Sequence, residues 1–261
     1  WYPDDPRRLA AEVDRYVDRA AVEPVGTLRA IVAPHAGLRY SGPVAAYAYK
    51  AASGTRPDVL VLVGPSHFVP FRGVSIWRAG AWETPFGPVP VDAPLAEAIA
   101  EALGDVADVA AAHGREHSLE LQLPFIARLL PGAAIVPILM GYQTRETALG
   151  LADALARTAC QWPGKLLLVA SSDLSHYQDA AAAAVLDGAV MGHVESLDPE
   201  GLMARLEREP NHACGGGPMV AVLQAARAAG ARDARVLQYG DSGDVTGDKS
   251  SVVGYMAAAV W

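Results

Sequence analysis

Several short segments place histidines, acids and a cysteine where a purely packed residue would be unusual. "APHAG" sets His35 just after the apolar run Leu28 to Val32. "GPSH" sets His67 just after the run Val59 to Val63, and "SSDLSHY" sets Asp173 and His176 just after Leu166 to Ala170. One histidine in such a turn is ordinary packing. Histidines at the exits of separate apolar runs point instead to one shared site, because ligands of open α/β sheets bind beyond the carboxyl ends of the strands.

Two further segments are candidates for the same site. "REHSLELQLPF" reads as the opening of a helix over Glu116 to Glu120, with His117 and Glu120 on one face at i, i+3. "HACGGGPMVAVLQAAR" places Cys214 directly before a glycine run that leads into an apolar helix, Met219 to Ala229. A helix N-terminus favours thiolate over thiol, so a lowered thiol pKa is expected for Cys214. The glycines allow close backbone approach. Cys160 ends an amphipathic helix and is expected to be inert. His113, His193 and His212 lack comparable settings: His193 reads as structural or surface, and His212, close to Cys214, reads as part of a flexible approach outside the site. "GDSGDVTGDKS" lacks the glutamate that closes an EF-hand loop and reads as a turn.

Imidazoles and a thiolate from different loops form an incomplete coordination shell. His35, His67 and Cys214 would suit Fe(II), Cu or Zn and leave positions open for water, substrate or oxygen. Asp173, His176 and His117 are the expected acid/base groups: an aspartate beside a histidine can fix its tautomer, and histidine moves protons near neutral pH.

These residues need a scaffold that delivers strand ends to one place. Leu28 to Val32, Val59 to Val63, Ile135 to Met140 and Leu166 to Ala170 are short continuous apolar runs, the pattern of strands buried on both faces. Helical patterns lie among them: a first amphipathic helix through Leu9, Val13 and Tyr16, then Pro43 to Ser53, Pro94 to Leu103, Leu119 to Leu130 and Thr147 to Cys160. The alternation predicts an α/β fold, a single domain over 1–261, with a mainly parallel central sheet and helices on both faces. Val74 to Val91, rich in Gly, Pro and aromatics, reads as a hairpin or irregular excursion at a sheet edge. Arg235 to Tyr239 and Val252 to Val260 read as two final strands.

Composition narrows the functional classes. The 261 residues are 51% apolar and 19% charged, an ordinary globular balance. A net charge of -8 without a basic stripe argues against nucleic-acid binding. No apolar run approaches the roughly 20 residues of a membrane span. With two cysteines a disulfide framework is not expected, and a cytoplasmic, reducing setting is.

"APHAGLRYSGPVAAYAY", "VLVGPSH", "EHSLELQLPFI", "SSDLSHY" and "CGGGPM", together with the opening "WYPDD", resemble the Memo family, whose prokaryotic branch is called AmmeMemoRadiSam system protein B. The resemblance spans essentially the whole chain. It implies a fold similar to class III non-haem iron extradiol dioxygenases. It also implies a metal at the positions matched by His35, His67 and Cys214, with Asp173, His176 and the "EHS" element of Glu116 and His117 nearby. A functional link to a radical-SAM protein and an AMMECR-type protein is implied as well. Those dioxygenases hold Fe(II) with two histidines and a carboxylate. A cysteine in the third position is softer and itself oxidisable, so ring cleavage does not transfer with the fold.

The leading expectation is a metal-dependent redox or oxygenase-like enzyme acting on a small molecule or peptide in this cleft. The alternatives are a non-catalytic binding protein that uses the same cleft for a peptide or partner, and a metal-free cysteine hydrolase with Cys214 as nucleophile and His176 as base.

Overall fold

The computed structural model describes all 261 residues. In chain order the elements are α1 (Pro6–Arg19), β1 (Ala30–Ala33), α2 (Leu38–Ser53), β2 (Val59–Pro65), β3 (Val74–Ile76), β4 (Ala81–Trp82) and β5 (Val89–Pro90). Then follow α3 (Ala93–Leu103), α4 (Leu123–Leu129), β6 (Ala134–Met140), α5 (Arg145–Gln161), β7 (Leu166–Ser171) and β8 (His176–Gln178). The chain closes with α6 (Ala180–Glu195), α7 (Pro199–Arg208), α8 (Gly216–Ala228), β9 (Ala234–Asp241), α9 (Gly243–Thr246) and β10 (Val252–Val260).

The main sheet has the order β3-β6-β2-β7-β1-β10-β8, with β9 also paired to β10. Its centre, β6, β2, β7 and β1, is parallel, as the continuous apolar runs require. Antiparallel strands flank it: β3 against β6, and β10 against β1, β8 and β9. Alternate side chains of each parallel strand enter different cores. Val59, Val61 and Val63 pack with α3, α5, α7 and α8, whereas Leu60 and Leu62 pack with α1, α2 and α4. The α/β class, the mainly parallel centre and the two helical layers therefore match the expectation from sequence.

Local departures have local causes. The stretch expected as one helix over Leu119 to Leu130 begins as a 3-10 turn, Glu120–Gln122, and becomes α-helical only at α4, with Pro124 in the first turn. A proline is tolerated there because the first-turn N–H groups have no partner inside the helix. His117 thus lies in the turn before the helix, not on its face. The Val74 to Val91 excursion divides in two. β3 extends the edge of the main sheet, whereas β4 and β5 form a separate two-stranded ribbon.

Topology fixes where side chains can meet. β1, β2 and β7 run the same way, so His35, His67 and the Asp173 to His176 segment all leave the same edge of the sheet. The N-terminus of α8 faces that edge too. The three glycines there are imposed by packing: a Cβ on Gly215 would lie 2.3 Å from the Ser171 carbonyl oxygen, on Gly216 2.5 Å from Leu206, and on Gly217 2.6 Å from the Met140 sulfur.

Candidate metal centre

His35, His67 and His117 form one cluster, with a donor atom from each lying within 4.8 Å of those of the other two. Their ring centroids are 4.8 to 5.6 Å apart.

His35 is buried at 1% exposure, and its Nδ1 lies 2.8 Å from Ser171 Oγ. That hydroxyl donates its single proton to the Ser118 carbonyl at 2.5 Å and accepts from Gln122 Nε2 at 2.8 Å. Ser171 can therefore only accept from His35, so the imidazole proton sits on Nδ1 and Nε2 keeps its lone pair. Burial, then the neighbouring His67 and His117, push the His35 pKa well below the ordinary range. His35 is a neutral ring with its ligating nitrogen free of a proton.

His67 is oriented by another route. Its Nδ1 is 2.8 Å from Glu116 Oε1, and its backbone N–H donates to Glu116 Oε2. Burial alone would raise the Glu116 pKa. The His67 bonds and the N–H of Ser118 outweigh that and hold it at about 2. An ionised carboxylate only accepts, so His67 donates from Nδ1 and Nε2 is the atom left to ligate. Carboxylate behind histidine is the usual support of a metal-ligating ring. His117, in the same turn, stacks on the Trp1 ring at 4.2 Å, and burial followed by His67 lowers its pKa.

Cys214 lies against this cluster but outside the group of three imidazoles. Its Sγ is 3.2 Å from His35 Nε2 and accepts from the Asp173 N–H at 3.2 Å. With Nε2 unprotonated, the thiol donates to it. The thiol pKa is raised, by burial first and by Asp173 second. This corrects the expectation of a depressed value. Cys214 precedes the capping residue Gly215, and two of the N–H groups at the start of α8 are satisfied elsewhere. Gly217 N–H donates to Gln143 Oε1 at 2.7 Å, and Gly215 N–H to Ser172 Oγ at 2.9 Å. The hydrolase pairing gains no support either, since the imidazole that touches the thiol belongs to His35.

Asp173 and His176 complete the edge. Asp173 Oδ1 accepts from the backbone N–H of His35 at 2.7 Å and of Ala36 at 3.3 Å, tying the β7 exit to the β1 exit. Burial raises the Asp173 pKa and lowers that of His176. His176 Nε2 is buried without a hydrogen-bond partner.

The sequence brought His35, His67, His117, Asp173, His176 and Cys214 to one edge, and the structure places all of them there. It did not single out Ser171, Gln122 or Gln143, whose roles depend on partners far away in the chain. The remaining histidines stand apart from the cluster. His113 Nε2 lies 3.2 Å from Ser75 Oγ, and the His113 ring is edge-on to Trp77 and Trp82. His193 pairs with Asp198 at 3.0 Å.

Comparison with known proteins places this arrangement in context. The family described as Memo-like protein matches residues 1–259. A MEMO1 family protein of Methanothermobacter thermautotrophicus is 37% identical over 98% of this chain and 95% of its own. One from Aeropyrum pernix is 42% identical over 88% of this chain and 83% of its own. Among solved structures, an uncharacterized protein of Escherichia coli K12 superposes with a TM-score of 0.56 at 17% identity, covering 88% of this chain and 99% of that one. That similarity concerns the fold alone.

Proposed function

The chain belongs to the Memo family, and on that premise we propose that it is a metal-dependent redox or oxygenase-like enzyme acting on a small molecule or peptide. The observation that carries this is that His35 and His67 are both held through Nδ1, which leaves the two Nε2 atoms to ligate. Each is fixed by a different partner, Ser171 and Glu116, and the two rings sit in one cluster with His117. Imidazoles with supported Nδ1–H groups fit a transition metal, and a nearby thiol adds a soft donor.

His35 and His67 would hold the ion, with Cys214 and His117 flanking them. Fe(II) or Cu would supply one-electron or oxygen chemistry, and Zn would supply Lewis acidity alone. The protein's own part is to hold donors and move protons. Ser171 and Glu116 keep two rings in the ligating tautomer. Asp173 clamps the His35 backbone. His176, with an unpartnered buried nitrogen, is the group placed to exchange a proton with a bound molecule. A reducing cytoplasm would keep Cys214 available, and the link to a radical-SAM protein and an AMMECR-type protein belongs to the same proposal.

The test is anaerobic loading of the purified chain with Fe(II), Cu(I) or Zn(II), followed by elemental analysis and oxygen uptake. One equivalent of metal is expected in the wild type and none in His35→Ala/His67→Ala. Oxygen uptake that requires Fe or Cu supports the redox assignment. Full loading of the double variant would remove its basis.

A further inference from the structure

A cavity of about 700 Å3 opens beside the cluster, with His176 and Cys214 in its wall together with Tyr177, Arg208 and His212. His212 follows α7 in a 3-10 turn, Pro210–His212, and is only 7% exposed. Arg205 Nε lies 3.2 Å from His212 Nδ1. A guanidinium has donors and no acceptor, so Nδ1 must offer its lone pair and neutral His212 carries its proton on Nε2. That N–H finds no acceptor in the protein. His212 lines the cavity, so a ligand there can supply the missing acceptor.

The charges around it favour an anion. Arg208 makes no hydrogen bond or ion pair with the protein. Glu209, the one carboxylate in the wall, is bound by Arg205 at 3.1 Å and lies 3.4 Å from His212 Nδ1. The carboxylates behind the wall are occupied as well: Asp173 by the His35 and Ala36 N–H groups, Asp187 by Ser175 N–H and the Tyr239 hydroxyl.

We propose that this cavity is the substrate chamber and that His212 and Arg208 hold a carboxylate of the substrate, with the rest of the molecule reaching Cys214 and His176. The inference rests on the metal-site proposal and adds a substrate class to it: small molecules bearing one carboxylate. One imidazole N–H and one guanidinium match the two oxygens of such a group.

Charged thiol reagents test this without knowledge of the substrate. In a Cys160→Ser background, chelator-treated full-length protein is reacted at Cys214 with anionic (2-sulfonatoethyl) methanethiosulfonate and with cationic (2-trimethylammonioethyl) methanethiosulfonate. Rates are read by mass spectrometry at low ionic strength, with 2-mercaptoethanol as the reference thiol. The anion-to-cation rate ratio at Cys214 should exceed that of the reference about fivefold. Arg208→Gln, at an exposed position, should bring the ratio close to the reference value, and His212→Gln should lower it about twofold. No reaction at Cys214, a ratio at or below the reference, or a ratio unmoved by Arg208→Gln would overturn the proposal. Metal uptake measured separately on the same proteins should be unaffected by Arg208→Gln. Absence of uptake in the wild type would count against the metal site and leave the thiol ratios as an independent result.

Discussion

Ser171 and His35 stand in a one-way relationship. Ser171 Oγ gives its proton to the Ser118 carbonyl, so at 2.8 Å from His35 Nδ1 it can act only as acceptor, which leaves His35 Nε2 free to ligate. Ser171→Ala removes that constraint. Metal affinity is expected to fall about 10- to 100-fold, the usual effect of losing such a support, as measured by chelator competition. The His35 imidazole nitrogens, followed by 15N NMR, should show a mixture of tautomers where the wild type shows one.

Glu116 supports His67 and also accepts from the N–H groups of His67, His117 and Ser118. Glu116→Gln keeps the size and removes the charge. The amide can still accept on its oxygen, but its NH2 then faces a donor. Metal affinity should drop about 10- to 100-fold, and thermal unfolding should show a loss of about 1–3 kcal/mol from the buried mismatch. An unchanged affinity would mean that His67 does not depend on Glu116 for its orientation.

Metal uptake at Cys214 should release a proton. The thiol is protonated in the metal-free protein, held there by burial and by Asp173, and only thiolate ligates. Zinc titration in weakly buffered indicator dye should therefore release one proton per metal from the wild type and none from Cys214→Ser. Equal release from both would exclude the cysteine from the coordination shell.

Acid should destabilise the fold before the carboxylates titrate. His113 is lowered to about 4, chiefly by burial, and His35, His117 and His176 are lowered for the same first reason. The unfolded chain takes up protons near the ordinary histidine value while these folded rings do not, so stability is lost as pH falls below about 6.5. His113 alone should contribute a loss of roughly 2 kcal/mol between pH 7 and pH 5. Glu116, held at about 2, adds a second loss below its unfolded value. Thermal melts against pH, with His113→Asn flattening the first limb, check this.

The strand exits were legible because β1, β2 and β7 are continuous apolar runs ending in turn residues, and parallel topology sends such ends to one edge. The histidines just beyond them could be grouped without coordinates. The start of α4 was not legible, because "SLELQLPF" has helical periodicity from Leu119 onward although the chain takes a 3-10 turn first. The thiol state of Cys214 was misjudged for a related reason. Position before a helix suggests an exposed dipole end, but burial dominates, and Ser172 and Gln143 already occupy the N–H groups of Gly215 and Gly217. His212 was set aside because its partner, Arg205, lies seven residues earlier in α7, and the cavity that His212 lines is formed only in the tertiary structure.

Anomalous scattering from crystals of anaerobically loaded protein tests the metal site most directly. A single peak is predicted about 2.1 Å from the Nε2 atoms of both His35 and His67, with Ser171 and Glu116 still bonded to their Nδ1 atoms. A peak that lies elsewhere, or that contacts either ring through Nδ1, would contradict the site described here.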